Sequence, residues 1–162
     1  MHRVGEGSVG RRAGEGWVAM FLGTHSPRLD DKGRLVLPAK FREALAAGVV
    51  LAKGQDRALV LWPVAEFAAY AERLAEASRN DANVRAYTRV FFSGASDEVP
   101  DRQGRVTIAP ALRDYAGLER DVVIVGAGQT CEIWAPAAWE AYMSESEPKF
   151  ADLNQEVVPG LF

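Results

Sequence analysis

Hydrophobic and polar positions change period several times along this chain, and they do so twice in the same order. Over 34–37 (RLVL) and again over 105–108 (RVTI), apolar residues alternate with polar or outward-facing ones, the two-residue period of a strand with one buried face. Short strands over 25–29 and 98–100 lead into these segments. Pro38 and Pro110 then open short helices, at a position where a missing N–H costs little. Phe41 and Leu45 share one face of the first, and Leu112 and Tyr115 one face of the second. Gly48 and Gly117 punctuate the ends. Two more strands follow in each half, over 49–53 and 58–62, then 121–125 and 130–134, with turns at 54–57 and 126–129. A helix closes each half. The first spans 63–78, with Phe67, Tyr70, Ala71 and Leu74 as its apolar stripe, and the second spans 136–143. Residues 80–92 predict one further helix joining the halves.

The identities of the residues repeat as well as the pattern. Asp30-Asp31-Lys32-Gly33-Arg34 returns as Asp101-Arg102-Gln103-Gly104-Arg105, at an offset of 71 (101 − 30). The offset holds for Leu35/Val106, Leu37/Ile108, Phe41/Leu112 and Arg42/Arg113. It becomes 72 (134 − 62) for Trp62/Trp134, Phe67/Trp139 and Tyr70/Tyr142. This is an internal duplication. It divides the chain into a first half over 20–79, a linking helix over 80–92, a second half over 93–143 and a C-terminal tail over 144–162. The expected class is α+β, mainly β.

The first 19 residues have five glycines and no apolar period. They read as a disordered extension, or as an upstream start with translation beginning at Met20. The apolar stretch a signal peptide requires is missing from them, and no apolar run approaches the ~20 residues of a membrane helix. The single cysteine, Cys131, excludes an intramolecular disulfide and argues against a cysteine-based metal cluster. The cytoplasm is the expected compartment. A net charge of −3 weighs against nucleic-acid binding, although focused positive charge matters more than the total.

The duplicated loop is where chemistry concentrates. Asp30 and Asp101 can bond nearby amides, and Gly33 and Gly104 can supply a positive φ, so each pair specifies a tight reversal. Arg34 and Arg105 have two readings. Each guanidinium can be projected toward DNA, as the side chain best suited to a fork onto guanine or phosphate. Each can instead staple its own loop by pairing with Asp30 or Asp101. Lys32 and Arg102 suit phosphate contact, with solvated turn residues as the plain alternative. Arg28, just before the first loop, is a weaker candidate of the same kind. Arg42 and Arg113 are expected to form helix-surface salt bridges with Glu43 or Asp114. Trp62, Trp134, Phe91 and Phe92 are expected to be buried in a core or an interface. No catalytic constellation, metal site or cofactor motif is legible. His25 stands alone and Cys131 lacks a nearby histidine.

The stretches MFLGTHSPRLDDKGRLVLPAKFREAL, FFSGASDEVPDRQGRVTIAPALRDYAGL and VVIVGAGQTCEIW closely resemble the MraZ family of bacterial transcriptional regulators. The resemblance runs from about Met20 to Met143. That family is similar to the AbrB/SpoVT class of swapped-hairpin β-barrels, here with both units in one chain and flanking helices. The resemblance implies DNA contact by Arg34 and Arg105, ring-shaped homo-oligomers, and binding to short direct repeats in double-stranded DNA. It places those repeats upstream of the division and cell-wall gene cluster, so the protein would lie on the nucleoid. No membrane, cofactor or small-molecule substrate is implied. The sequence departs from the family pattern at Ala109, where a proline is usual, with Pro110 one place later. Two other functions compete with this one: a protein-binding module such as an antitoxin, and a small hydrolase using the loop aspartates.

Overall fold

The computed structural model describes residues 20–77 and 79–161, preceded by two dipeptide strands, β1 (Arg12–Ala13) and β2 (Gly16–Trp17), that pair antiparallel. The remainder of the expected extension over 1–19 lies outside the described residues. The first half contributes β3 (Thr24–His25), β4 (Arg34–Val36), a 3-10 turn (Ala39–Phe41), α1 (Arg42–Leu45), β5 (Val49–Lys53), β6 (Leu59–Pro63) and α2 (Val64–Ala75). α3 (Ala82–Ser93) crosses to the second half. There follow β7 (Ser96–Glu98), β8 (Arg105–Thr107), α4 (Pro110–Ala116), β9 (Val123–Gly126), β10 (Cys131–Trp134) and α5 (Pro136–Ala151).

Six strands form one antiparallel sheet in the order β3-β9-β10-β6-β5-β7, and β4 and β8 form a separate two-stranded ladder. The halves are therefore interleaved. β3 of the first half pairs with β9 of the second, and β7 of the second pairs with β5 of the first. His25 opposite Ile124 and Ser96 opposite Leu51 are equivalent pairs, with His25 and Ser96 71 residues apart (96 − 25) and Leu51 and Ile124 73 apart (124 − 51). Two pairs lie at the centre of this pseudo-twofold arrangement. Glu132 faces Val60 where β10 meets β6, and Leu35 faces Val106 where β4 meets β8.

One core fills the space between the sheet and the ladder. Leu35, Leu37, Val106 and Ile108 come from the ladder segments, and Leu51, Leu59, Leu61, Ile124 and Ile133 from the sheet. Phe41 and Leu45 from the first helical segment and Leu112 from α4 complete it, all within about 1% of full burial. Phe21 meets Phe41 edge-on, with ring centroids 5.1 Å apart.

Two expectations about class are corrected. The strands do not close into a barrel, because β3 and β7 end the sheet without meeting. Proline-led turns stop β4 and β8 after three residues each, too short to bridge two sheet edges. Nor is the chain mainly β. α2, α3 and α5 have 12, 12 and 16 residues, whereas among the described residues no strand exceeds five. α5 also runs eight residues past the expected stop at Met143 (151 − 143). Its outer turns bury nothing, so no apolar period announces them; Pro136 at its first turn and the Glu145–Lys149 pair at 3.3 Å favour the helix instead.

Candidate nucleic-acid interface

Each Asp-x-x-Gly-Arg loop is built around its aspartate. Asp30 Oδ1 accepts hydrogen bonds from the amides of Lys32 and Arg34, both at 2.9 Å, and Oδ2 accepts from Arg34 Nε at 2.7 Å. Asp101 accepts from the amides of Gln103 and Arg105 at 2.9 Å and from Arg105 Nε at 2.7 Å. The Gly33 and Gly104 amides close each turn onto the aspartate carbonyl at 3.0 and 2.9 Å. Gly33 and Gly104 have φ of +74° and +73°, a conformation that any side chain disfavours.

This geometry holds both carboxyls below the ordinary carboxylate range. For Asp30 the backbone amide of Arg34 is the largest cause, partly opposed by desolvation and reinforced by the Arg34 side chain and the Lys32 amide. Asp101 follows the same order with Arg105 and Gln103. Hydrogen bonds to the ionised form favour it, so each loop is most ordered with its aspartate charged.

The ladder sets the direction of the arginines. Arg34 faces Thr107, and Arg105 faces Val36. Leu35 and Val106 point inward and are buried, so the alternation of a strand puts Arg34, Val36, Arg105 and Thr107 on the outer face. Both guanidiniums therefore stand on one side of one two-stranded ribbon. The staple exists, but it engages only Nε. Among the described residues, no hydrogen bond uses the terminal Nη atoms of either arginine, and each side chain remains about 30% exposed (30% and 29%). The two readings of these arginines are thus compatible.

Lys32 and Arg102 are exposed on the two loops, at the third and second positions respectively. Neither belongs to an ion pair among the described residues. Arg28 is placed differently. It pairs with Asp121 at 3.0 Å, where the first half bridges to the loop before β9, so its charge is compensated.

Arg42 and Arg113 do not form the expected pairs with Glu43 or Asp114. Arg42 Nε donates to Leu37 O at 3.1 Å, and Arg113 Nε donates to Ile108 O at 2.9 Å. Each side chain lies over the glycine of the opposite loop. A Cβ placed on Gly33 would come within 2.9 Å of the Arg113 guanidinium carbon, and one on Gly104 within 2.6 Å of Arg42 Nε. The helix-surface expectation failed because the last ladder carbonyls are nearer than the neighbouring acids. The offset of 71 already paired Arg42 with Arg113, and that repetition was the available signal.

The remaining candidates are structural. Trp134 is buried, and Trp62 sits in an aromatic cluster with Phe67, Tyr70 and Phe91. Phe91 is buried as expected, but Phe92 is 40% exposed because it follows the buried position on α3 by one residue, a turn of about 100° away. Cys131 is buried, which pushes its thiol up to about 12. Among the described residues no three His, Cys, Asp or Glu side chains are placed to hold a metal ion, and no helix is long and apolar enough to cross a membrane.

Comparison with known proteins adds a family to this geometry. The family model described as "MraZ protein, putative antitoxin-like" matches twice, over residues 20–90 and 91–158. A protein of Salinispora arenicola named transcriptional regulator MraZ is 58% identical over 142 residues, 88% of this chain and 100% of the relative. Relatives of the same name from Kineococcus radiotolerans and Leifsonia xyli are 55% and 53% identical, with 88% of this chain and 99% and 100% of the relatives covered. With both repeats matched and these relatives covered almost end to end, the chain belongs to the MraZ family.

Proposed function

We propose that this chain is a sequence-specific, DNA-binding transcriptional regulator, and not an enzyme. One observation carries the reading: Arg34 and Arg105 share the outer face of the β4–β8 ribbon, with an exposed cation on the loop beside each. The major groove of DNA admits a two-stranded ribbon, and arginine bonds guanine O6 and N7 in bidentate fashion. Arg34 and Arg105 read base edges, while Lys32 and Arg102 hold phosphates. Asp30, Gly33, Asp101 and Gly104 shape the loops. Arg28, tied to Asp121, adds to the field only. The printed name of the relatives, transcriptional regulator, agrees with this assignment.

The finer parts of the reading follow from family membership. The site is a set of short direct repeats upstream of the division and cell-wall genes, the working form is a ring homo-oligomer, and the protein resides in the cytoplasm on the nucleoid. The cross-half pairing supports a swapped-hairpin origin, with units over 20–79 and 93–143, the linking helix over 80–92 and a tail over 144–162.

Gel-shift titration tests the loop assignment, using a duplex selected by the wild-type protein from random DNA. Arg34→Ala and Arg105→Ala are each expected to weaken binding by about tenfold or more, since a good bidentate contact is worth ~1–3 kcal/mol. Light scattering should report an unchanged oligomer. Wild-type affinity in both variants would refute it.

A second reading has one observation in its favour. The family description includes the word antitoxin, and Phe150, Leu153, Val157, Val158 and Leu161 are exposed at the C-terminus. A partner protein lost on deletion of 144–162, together with intact DNA binding in the loop variants, would favour a protein-binding module.

A further inference from the structure

We propose that Arg42 and Arg113 are crossed latches, each positioning the DNA-reading arginine of the opposite half. The inference rests on the reading of Arg34 and Arg105 given above, and extends it to residues outside the loops. Arg113, on α4 of the second half, lies over Gly33 in the loop of the first. Arg42, at the start of α1 in the first half, lies over Gly104 in the loop of the second. Both side chains are anchored, through Nε to Ile108 O and to Leu37 O. The same two strand ends are tied to the same loops by main chain. The Ile108 amide donates to Gly33 O at 2.9 Å, and the Leu37 amide donates to Gly104 O at 2.8 Å.

Each loop is thus clasped by one segment of the other half, from the end of its ladder strand to the first turns of its helix. That segment fixes the glycine next to Arg34 or Arg105 from outside the loop. The glycines acquire a second reason to be glycines. Besides supplying a positive φ, they leave the space that the opposite arginine occupies. Lysine cannot replace these arginines, because it has no Nε–H donor part-way along the stem and no planar group to lie on a glycine.

The consequence is a pattern of coupling that runs against sequence proximity. Loss of Arg113 disturbs Arg34, 79 residues away (113 − 34), and spares Arg105, which is eight away (113 − 105). A general weakening of the fold would disturb both loops alike.

Two measurements on the full chain test this. Amide spectra and hydrogen exchange of Arg113→Ala should show the changes at Gly33 and Arg34 and leave Gly104 and Arg105 near their wild-type positions. Arg42→Ala should show the reverse. Arg113→Lys and Arg42→Lys, which keep the charge, should reproduce each pattern, and they serve if an alanine variant fails to fold. Changes confined to the loop nearer in sequence, equal changes in both loops, or none would overturn the latch.

The second measurement is a pair of double-mutant cycles on the selected duplex. Arg113→Ala should weaken binding about fivefold to tenfold alone, the size of an ordinary contact coupling. It should add little once Arg34 is alanine, and its full effect when Arg105 is alanine. Arg42→Ala should couple to Arg105 and not to Arg34. Additive effects in the crossed pairs would overturn the proposal. If Arg34→Ala and Arg105→Ala leave binding unchanged, the DNA reading falls, and the amide pattern still decides whether the latches exist.

Discussion

At the residue scale, the aspartates are what the arginines depend on. A guanidinium held through Nε by a carboxylate has one end fixed and the other presented, a geometry an unpaired surface arginine lacks. That arrangement has a definite pH signature. Both aspartates titrate below their ordinary value of 3.8 in the folded loop, first because of the backbone amides of Arg34 and Arg105. A depressed folded pKa means the contribution is present above the ordinary value and is lost as pH falls through the folded one. Loop order should therefore be flat from neutral pH down to about 5, and should be lost only below the usual carboxylate range. NMR titration of the Lys32, Arg34, Gln103 and Arg105 amides checks this. Shifts that titrate at or above 3.8 would mean the carboxylates do not hold the loops. Asp30 and Asp101 were legible from the motif alone, because a turn aspartate works within four residues. The glycines that Arg42 and Arg113 lie over were not, since Gly104 and Gly33 are across the fold and only the register of β4 on β8 brings them near.

At the scale of elements, the β4–β8 ladder is short and central. It has three residue pairs, and its middle pair, Leu35 and Val106, is buried between the loops and the sheet. Removing either side chain should loosen both loops together. Leu35→Ala is expected to cost roughly 2–5 kcal/mol, the usual range for a buried leucine, whereas deletion of 152–161, all exposed, should shift the melting temperature by no more than a few degrees. Thermal unfolding of the two variants measures the contrast; equal losses would put the tail in the stabilising core. The sequence predicted most of these elements, since alternation and helical period are local. Local signals were silent on which strands pair. An equivalent strand in each half offers two self-consistent pairings, within a half or across it, and only burial of one shared core selects the crossed one. The same locality explains α5. Its last turns bury no side chain, so their helicity rests on propensity and ion pairing, which leave no hydrophobic period to read.

At the scale of the whole molecule, a net charge of −3 has to be reconciled with a polyanionic ligand. The positive groups proposed for DNA, Arg34, Arg105, Lys32 and Arg102, lie on one ribbon and its two loops. Glu66, Glu72 and Glu76 belong to α2 and its C-terminal end, and α2 packs on β5 and β6 instead. The loops themselves also carry Asp30, Asp31 and Asp101, of which Asp30 and Asp101 are paired with Arg34 and Arg105, so positive charge is focused there locally and is not separated from negative charge element by element. Four cations from one chain amount to a modest grip. Each phosphate neutralised on duplex DNA contributes about −0.9 to the slope of log affinity against log salt, so one engaged chain, with Lys32 and Arg102 on phosphates, should give a slope of about −2. If chains of an oligomer engage successive repeats, a duplex carrying two repeats should give nearly twice that slope, and later contacts gain from being intramolecular. Fluorescence anisotropy on one-repeat and two-repeat duplexes, from 50 to 300 mM salt (roughly the span over which such slopes are resolved), distinguishes the cases. A steeper slope with the second repeat means additional ribbons have reached the DNA. An unchanged slope with a merely doubled affinity means that the second repeat offers only another place for the same single ribbon to bind, and the oligomer then adds no grip.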